Sequence, residues 1–198
     1  MKKWLMALAM GFAVVSAQAE APRVRLFGSV AYGDGGDKII AEQYSNGAPI
    51  EMHAGSGWTW TIGADMRLFG PLALQVSVGQ QRNRVNGANF EMDFVRNPVE
   101  VLAFYSVTEQ IRLGVGAHKT YNAKFTETGV EPRSRDYDGS TGAVLEGQYF
   151  FTAPTNERAF LSGVNLRFIR ENFVQTSGAG TGAEARGDQV ALGLFFYY

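Results

Sequence analysis

The chain has no cysteine, only 2 histidines and only 6 prolines in its 198 residues. Without cysteine there can be no disulfide framework, no thiolate nucleophile and no cysteine-ligated metal. Two histidines leave little material for an imidazole metal cluster or a set of general acids and bases. Past the amino terminus, nothing approaches the ~20 consecutive apolar residues that a membrane-crossing helix requires. Charge of neither sign dominates, with 18 basic and 19 acidic residues, so nothing asks for nucleic acid as a partner. What the chain does have is glycine, 24 residues of it, and an aromatic content of 13%. That composition is rich in turns and in flat rings.

The amino terminus reads as an export signal. Residues 1–19, MKKWLMALAMGFAVVSAQA, combine a basic start at Lys2 and Lys3, an apolar stretch from Trp4 to Val15, and small residues Ala17 and Ala19 spaced for cleavage. The expectation is a signal peptide over 1–19 and one mature domain over 20–198.

The mature chain alternates with a period of two almost throughout. Trp58, Trp60, Ile62, Ala64, Met66 and Leu68 face one way, and Thr59, Thr61, Gly63, Asp65 and Arg67 the other. The same pattern predicts strands near 23–32, 56–68, 72–79, 98–107, 111–118, 141–151, 160–169 and 190–198. That makes eight strands. Their connections alternate short and long, the long ones being Gly33–Gly55, Asn83–Asn97, Tyr121–Gly139 and Gln175–Gly187, each rich in Gly, Asn, Ser and charge. A soluble sandwich has no reason to sort its connections by length onto opposite ends, whereas a membrane barrel has short turns at one rim and long loops at the other.

Aromatic placement adds a second signal. Tyr105, Tyr149, Phe151, Phe160, Phe196 and Tyr198 fall near the short turns, and Tyr32, Trp58, Trp60 and Phe168 near the long connections, with aliphatic residues between. Two girdles are expected of a strand barrel in lipid. Phe160 and Phe168 are eight positions apart, which at ~3.3 Å per residue and ~40° of tilt separates them vertically by about 20 Å. The opposite parity carries Arg25, Asp65, Arg67, Glu100, Arg112, Glu146 and Arg167. In a barrel these face the lumen, which eight strands make just wide enough for side chains to fill. Unpaired charges there would be too costly, so an interlocked ionic plug is expected. An ion or proton path along the same residues is the functional alternative, and a periplasmic β-sandwich the structural one.

The carboxyl terminus, Gly193-Leu194-Phe195-Phe196-Tyr197-Tyr198, completes the pattern. Together with the leader and the eight alternating strands, it resembles the small outer-membrane β-barrel proteins of Gram-negative bacteria, the OmpA/OmpX-like architecture. The resemblance covers the whole mature chain. It implies an all-β fold: an eight-stranded antiparallel up-and-down transmembrane β-barrel, preceded by a cleaved signal peptide, in the outer membrane. It also implies that Val190, Leu192, Leu194, Phe196 and Tyr198 form the signal read by the barrel assembly machinery. The family usually ends in Phe, and Tyr198 departs from that.

Nothing in the sequence assembles a catalytic site. His53 lies in the first long connection, His118 shares parity with Arg112, and neither adjoins a serine in a motif such as His-x-Ser. The glycine-rich GDGGD (33–37) and GAGTG (178–182) open no helix and lack calcium-loop spacing, so they read as flexible loop. No cofactor or metal is expected. The function expected is a non-enzymatic surface barrel contributing to envelope integrity, surface interaction or adhesion. Its partners would be outer-membrane lipids, lipopolysaccharide and an extracellular ligand or host surface met by the loops. A narrow channel for small or apolar solutes is the alternative.

Overall fold

The structure is a computed structural model, described here for residues 24–43, 49–87, 90–129, 132–154 and 160–198. The leader expected over 1–19 lies outside the described residues. Eight strands close on themselves: β1 (Val24–Asp34), β4 (Gly57–Phe69), β5 (Leu72–Asn86), β6 (Glu91–Ser106), β7 (Ile111–Thr128), β9 (Thr141–Phe150), β10 (Leu161–Arg170) and β13 (Gln189–Tyr197). Every neighbouring pair is antiparallel, and β7 against β9 completes the ring. The last strand pairs with the first from Phe27↔Tyr197 to Asp34↔Val190, and Leu26 and Tyr198 exchange both backbone bonds at 2.8 and 2.9 Å. The closing aromatics therefore seal a seam that would otherwise be an open sheet edge.

Four further strands occupy segments expected as long connections, β2 (Lys38–Gln43), β3 (Pro49–His53), β8 (Arg133–Gly139) and β12 (Glu184–Arg186), and a fifth, β11 (Asn172–Gln175), leads into the last of them. They correct that expectation. β5, β6 and β7 run on past the barrel, and β8, β11 and β12 extend the sheet beside β7 while β2 and β3 form a hairpin. A simple period of two does not carry β7 through, because a bulge intervenes. The partner register on β6 shifts between Val95↔Lys124 and Asn97↔Tyr121, with Asn122 in a left-handed conformation at φ 51. Asparagine tolerates that conformation better than most residues. Beyond it the inward parity changes from even to odd, so Ala123 and Phe125 are buried. GDGGD is equally ordered, with the Asp37 amide donating to Arg186 O at 2.8 Å.

Inside, three apolar clusters bracket the charges. Phe27, Phe150, Leu161, Phe195 and Tyr197 pack near the short-turn rim. Leu102, Phe104, Val144 and Ile169 pack along one wall. Ile40, Met52, Ala54, Met92, Phe94, Ala123, Phe125, Tyr137 and Phe173 form a cap above the barrel, where the β2–β3 hairpin and the extended sheet meet. Outward, the strands present a belt that no soluble core covers: Val30, Ile62, Val76, Val101, Leu113, Val115, Leu145, Leu166, Leu192 and Leu194 are all exposed. Such a belt is the lipid-facing surface of a transmembrane barrel.

Candidate functional site

The lumen is filled by one column of hydrogen-bonded side chains. At the short-turn end, Arg112 of β7 is held on every side: Nη1 lies 2.9 Å from Asp65 Oδ2, and Nε donates to Gln148 Oε1 at 2.7 Å. Its Nη2 also meets Tyr197 Oη, which donates to Gln75 Oε1 at 2.8 Å. The guanidinium stacks over the Phe104 ring at 4.2 Å and the Tyr197 ring at 4.9 Å. Gly114 makes that stack possible, since a Cβ there would stand 2.4 Å from the Phe104 ring.

One step up, Glu146 accepts two hydrogen bonds and forms an ion pair with Arg167. Gln148 Nε2 and Asn165 Nδ2 reach Oε1 at 2.6 and 2.9 Å, and Arg167 Nε lies 3.0 Å from Oε2. Arg167 also donates to Glu100 Oε2 at 2.5 Å, so one guanidinium bridges two carboxylates. Glu100 in turn meets His118 Nδ1 at 2.8 Å, and His118 Nε2 lies 3.1 Å from Glu171 Oε2. Arg96 Nη1 is 3.5 Å from the same oxygen, and its Nη2 donates to Gln189 Oε1 at 3.2 Å. Gln81 closes the column by donating to Gln189 Oε1 and Gly55 O, both at 3.0 Å. The cap sits directly above, with Arg96 over the Phe173 ring at 5.4 Å.

Of the residues that parity placed in the lumen, the structure joins Asp65, Glu100, Arg112, Glu146 and Arg167 in this column. Arg67 is placed elsewhere: it is exposed at the lower rim, where Nε and Nη2 donate to Gly70 O at 3.3 Å. Its distance from the column follows from its position next to the Phe69–Leu72 turn. Arg25 is half-buried at the same rim. Gln189 shares the inward parity of Ala191 and Phe195 on the last strand, whereas Arg96, Glu171 and Gln81 carry no such signal because they sit in or beside the long connections. Parity did aim His118 inward, and the structure adds its two carboxylate partners.

The column ends below in an open cavity of about 500 Å³, whose lining includes Arg25, Asp65, Arg67, Leu72, Arg112 and Tyr197. The wall above it is closed by Arg112. The girdle residues Tyr32, Trp58, Trp60, Tyr105, Tyr149, Phe151, Phe160, Phe168, Phe196 and Tyr198 all point outward and are exposed. Val190, Leu192 and Leu194 share that outward face of β13. His53 is half-exposed beside Glu51, at 3.7 Å. Lys38 donates to Glu51 at 2.5 Å, and this hydrogen bond holds the Glu51 carboxyl below the usual carboxylate range. Burial within the cap pushes the Tyr137 phenol up. Among the described residues no group of three or more His, Cys, Asp or Glu is arranged to hold a metal ion.

No protein-family model and no curated protein sequence matches the chain. Solved structures do. Ail, the attachment invasion locus protein of Yersinia pestis, in complex with the heparin analogue sucrose octasulfate, is 11% identical and overlays with a TM-score of 0.52. The match covers 90% of this chain and 100% of that one. Outer membrane protein AlkL in lipid bilayers is 14% identical over 92% of this chain and 94% of that one, at a TM-score of 0.48. Neisserial surface protein A is 13% identical over 89% and 98%, at 0.44. At 11% identity the likeness to Ail shows the fold alone, that of a small eight-stranded outer-membrane barrel, and leaves the function to the site.

Proposed function

We propose that this chain is a non-enzymatic surface protein of the bacterial outer membrane, with a permanently filled lumen and a rigid extracellular extension that makes its contacts. The observation that carries this reading is the unbroken side-chain column from Asp65 to Gln81 with an apolar cap above it. A channel needs a continuous wet path, and a charge crossing this lumen would have to part Arg167 from both Glu100 and Glu146. The extension favours contact over transport. It is built from packed strands on a buried core, and a rigid scaffold presents its exposed side chains at little entropic cost on binding.

With the short turns in the periplasm, as in barrels of this class, the cap and extension face outward. Adhesion is the finer form of the proposal. Ail, whose fold the chain shares, is named for attachment and invasion and was crystallised with a sulfated sugar. Outer-leaflet lipids, lipopolysaccharide among them, would surround the upper girdle, and the barrel assembly machinery would read the outward face of β13. His118 has a carboxylate oxygen within reach of each ring nitrogen, Glu100 at 2.8 Å and Glu171 at 3.1 Å, which favours a structural role over that of a general base.

Two measurements test the proposal. Planar-bilayer recording of the refolded mature chain should give no discrete, reproducible conductance, and a reproducible single-channel step would overturn the filled lumen. Cells displaying the chain should bind host-cell surfaces or immobilised sulfated glycan more than cells lacking it. Equal binding would remove the adhesive role.

A further inference from the structure

His118 stands where the lumen column meets the cap, above the apolar belt, at the level where Lys119 and Thr141 take over the outer wall. Each ring nitrogen faces an anion. Nδ1 is 2.8 Å from Glu100 Oε1 on β6, and Nε2 is 3.1 Å from Glu171 Oε2, just past the end of β10. Thr120 Oγ1 also lies 3.2 Å from Nε2. A neutral imidazole has one N–H and one lone pair, so between two carboxylates it would turn that lone pair on one of them. Either the ring carries both protons or a carboxylate carries one.

The other contacts of the two acids decide between these. Glu100 Oε2 accepts from Arg167 at 2.5 Å, Glu171 Oε1 accepts from the Thr120 amide at 3.1 Å, and Arg96 Nη1 is 3.5 Å from Glu171 Oε2. Donors and cations favour the ionised carboxylate, so the proton rests on the ring. Charge balance agrees. The buried column holds the guanidiniums of Arg96, Arg112 and Arg167 and the carboxylates of Asp65, Glu100, Glu146 and Glu171, three against four, and an imidazolium makes the set neutral. No other charge reaches the ring. On β9, Gly142 lies opposite His118 and the one acid, Glu146, is paired with Arg167, while Lys119 and Arg170 face outward. Asp188 Oδ1 accepts from the Glu171 amide at 3.0 Å.

That amide makes Glu171 the root of the extension. Its carbonyl accepts from the Gly187 amide at 2.7 Å, which ties β11 and β12 to the barrel, and two residues on Phe173 enters the cap under Arg96. Without an imidazolium, the buried Glu171 carboxylate keeps, among the described residues, only Arg96 as a counter-charge. We propose that His118 is held as an imidazolium whose proton pins the extension to the barrel, making the order of β11 and β12 depend on pH. The pin rests on the reading that the extension makes the surface contacts, and it regulates that same surface. Its contribution is present while the ring is charged and is lost as pH rises through the ring's own titration.

Ring ¹⁵N NMR of the refolded mature His53→Gln chain, in which His118 is the sole histidine, reads the proton directly. At about pH 7.5, where a free imidazole with a value of ~6.5 is mostly neutral, both nitrogens should be protonated. One protonated and one bare nitrogen overturns the proposal. Hydrogen exchange, corrected for the intrinsic rate, should show the Gln175 and Gly187 amides losing protection in step with deprotonation of the ring, while the Phe150 amide at the opposite rim keeps its own. His118→Gln should cut protection of β11 and β12 roughly tenfold at neutral pH. Adding Glu171→Gln should restore most of it, since three guanidiniums then face three carboxylates. Equal exchange in wild type and His118→Gln, or equal loosening of every strand, overturns the pin. Where heat-modifiable gel mobility shows that His118→Gln does not fold, the pH series on His53→Gln decides alone. Neither readout involves adhesion, so absent binding to host surfaces would remove the contact role and leave the pin to stand or fall on its own.

Discussion

Removing the charge of Glu146 is the sharpest test of the lumen column. In Glu146→Gln the side chain keeps its shape, but three donors converge on it, two on Oε1 and one on Oε2. A carboxamide offers one acceptor oxygen and one NH₂. If the oxygen serves Gln148 and Asn165, the NH₂ faces Arg167 Nε, donor against donor; if it serves Arg167, two donors lose their acceptor. A hydrogen bond to a charged group is worth about 1.5–3 kcal/mol, and breaking one partner out of a buried ion pair costs about 3–5 kcal/mol. Because Arg167 keeps Glu100 at 2.5 Å, the lower end applies, about 3 kcal/mol, or roughly a hundredfold in the folding equilibrium constant. The assay is equilibrium urea unfolding in phosphatidylcholine vesicles, followed by the emission of lipid-facing Trp58 and Trp60. Arg167→Met should cost about 3–5 kcal/mol alone, and the double variant less than the sum by about 1–3 kcal/mol, since the two residues share one network. A single-variant loss under about 1 kcal/mol, or strict additivity, would refute the claim that these side chains act as a unit.

Other expectations follow from the same geometry. Val115→Arg, on the outer face midway between Ile111 and Lys119, should cost about 2–4 kcal/mol of folding into vesicles, while Ser134→Arg on exposed β8 should cost almost nothing; equal costs would contradict the facing. Met92→Ala, in the middle of the cap, should lose about 2–5 kcal/mol, and hydrogen exchange should show the loss concentrated in β2, β3 and the upper β6. Uniform loosening of all strands would mean that the cap is not a separate packing unit. Glu51 should titrate below the usual carboxylate range in a carboxyl NMR experiment and return to it in Lys38→Ala. Because its folded value is the depressed one, the favourable contact is present at neutral pH and fades as pH falls through that value, and an unmoved midpoint in Lys38→Ala would discard the pairing.

The barrel itself was written in the sequence. A period of two assigns every side chain of β1, β4 and β13 to lipid or lumen, and eight such segments joined by alternately short and long connections leave little besides closure. Outward aromatics and inward Asp65, Glu100, Arg112, Glu146 and Arg167 are equally legible, because facing depends only on local backbone geometry. Partnership does not. Which guanidinium reaches which carboxylate depends on the stagger between strands far apart in the chain, and parity alone grouped Arg67 with a column it borders across the lower cavity and does not join. The four long connections misled for a related reason. Their polar, glycine-rich composition describes exposed side chains, while the strands that form there are stabilised by a core contributed jointly by β2, β3, β6, β7, β8 and β11. The bulge at Asn122 reverses the inward face within one strand, which a fixed period cannot anticipate. Outside such irregularities, the sequence by itself therefore determined which way a side chain of the barrel wall faces, a property of neighbouring peptide units. Only the tertiary structure decided what each one touches, since register, bulges and the shared cap are set by packing among segments that meet only when the barrel closes.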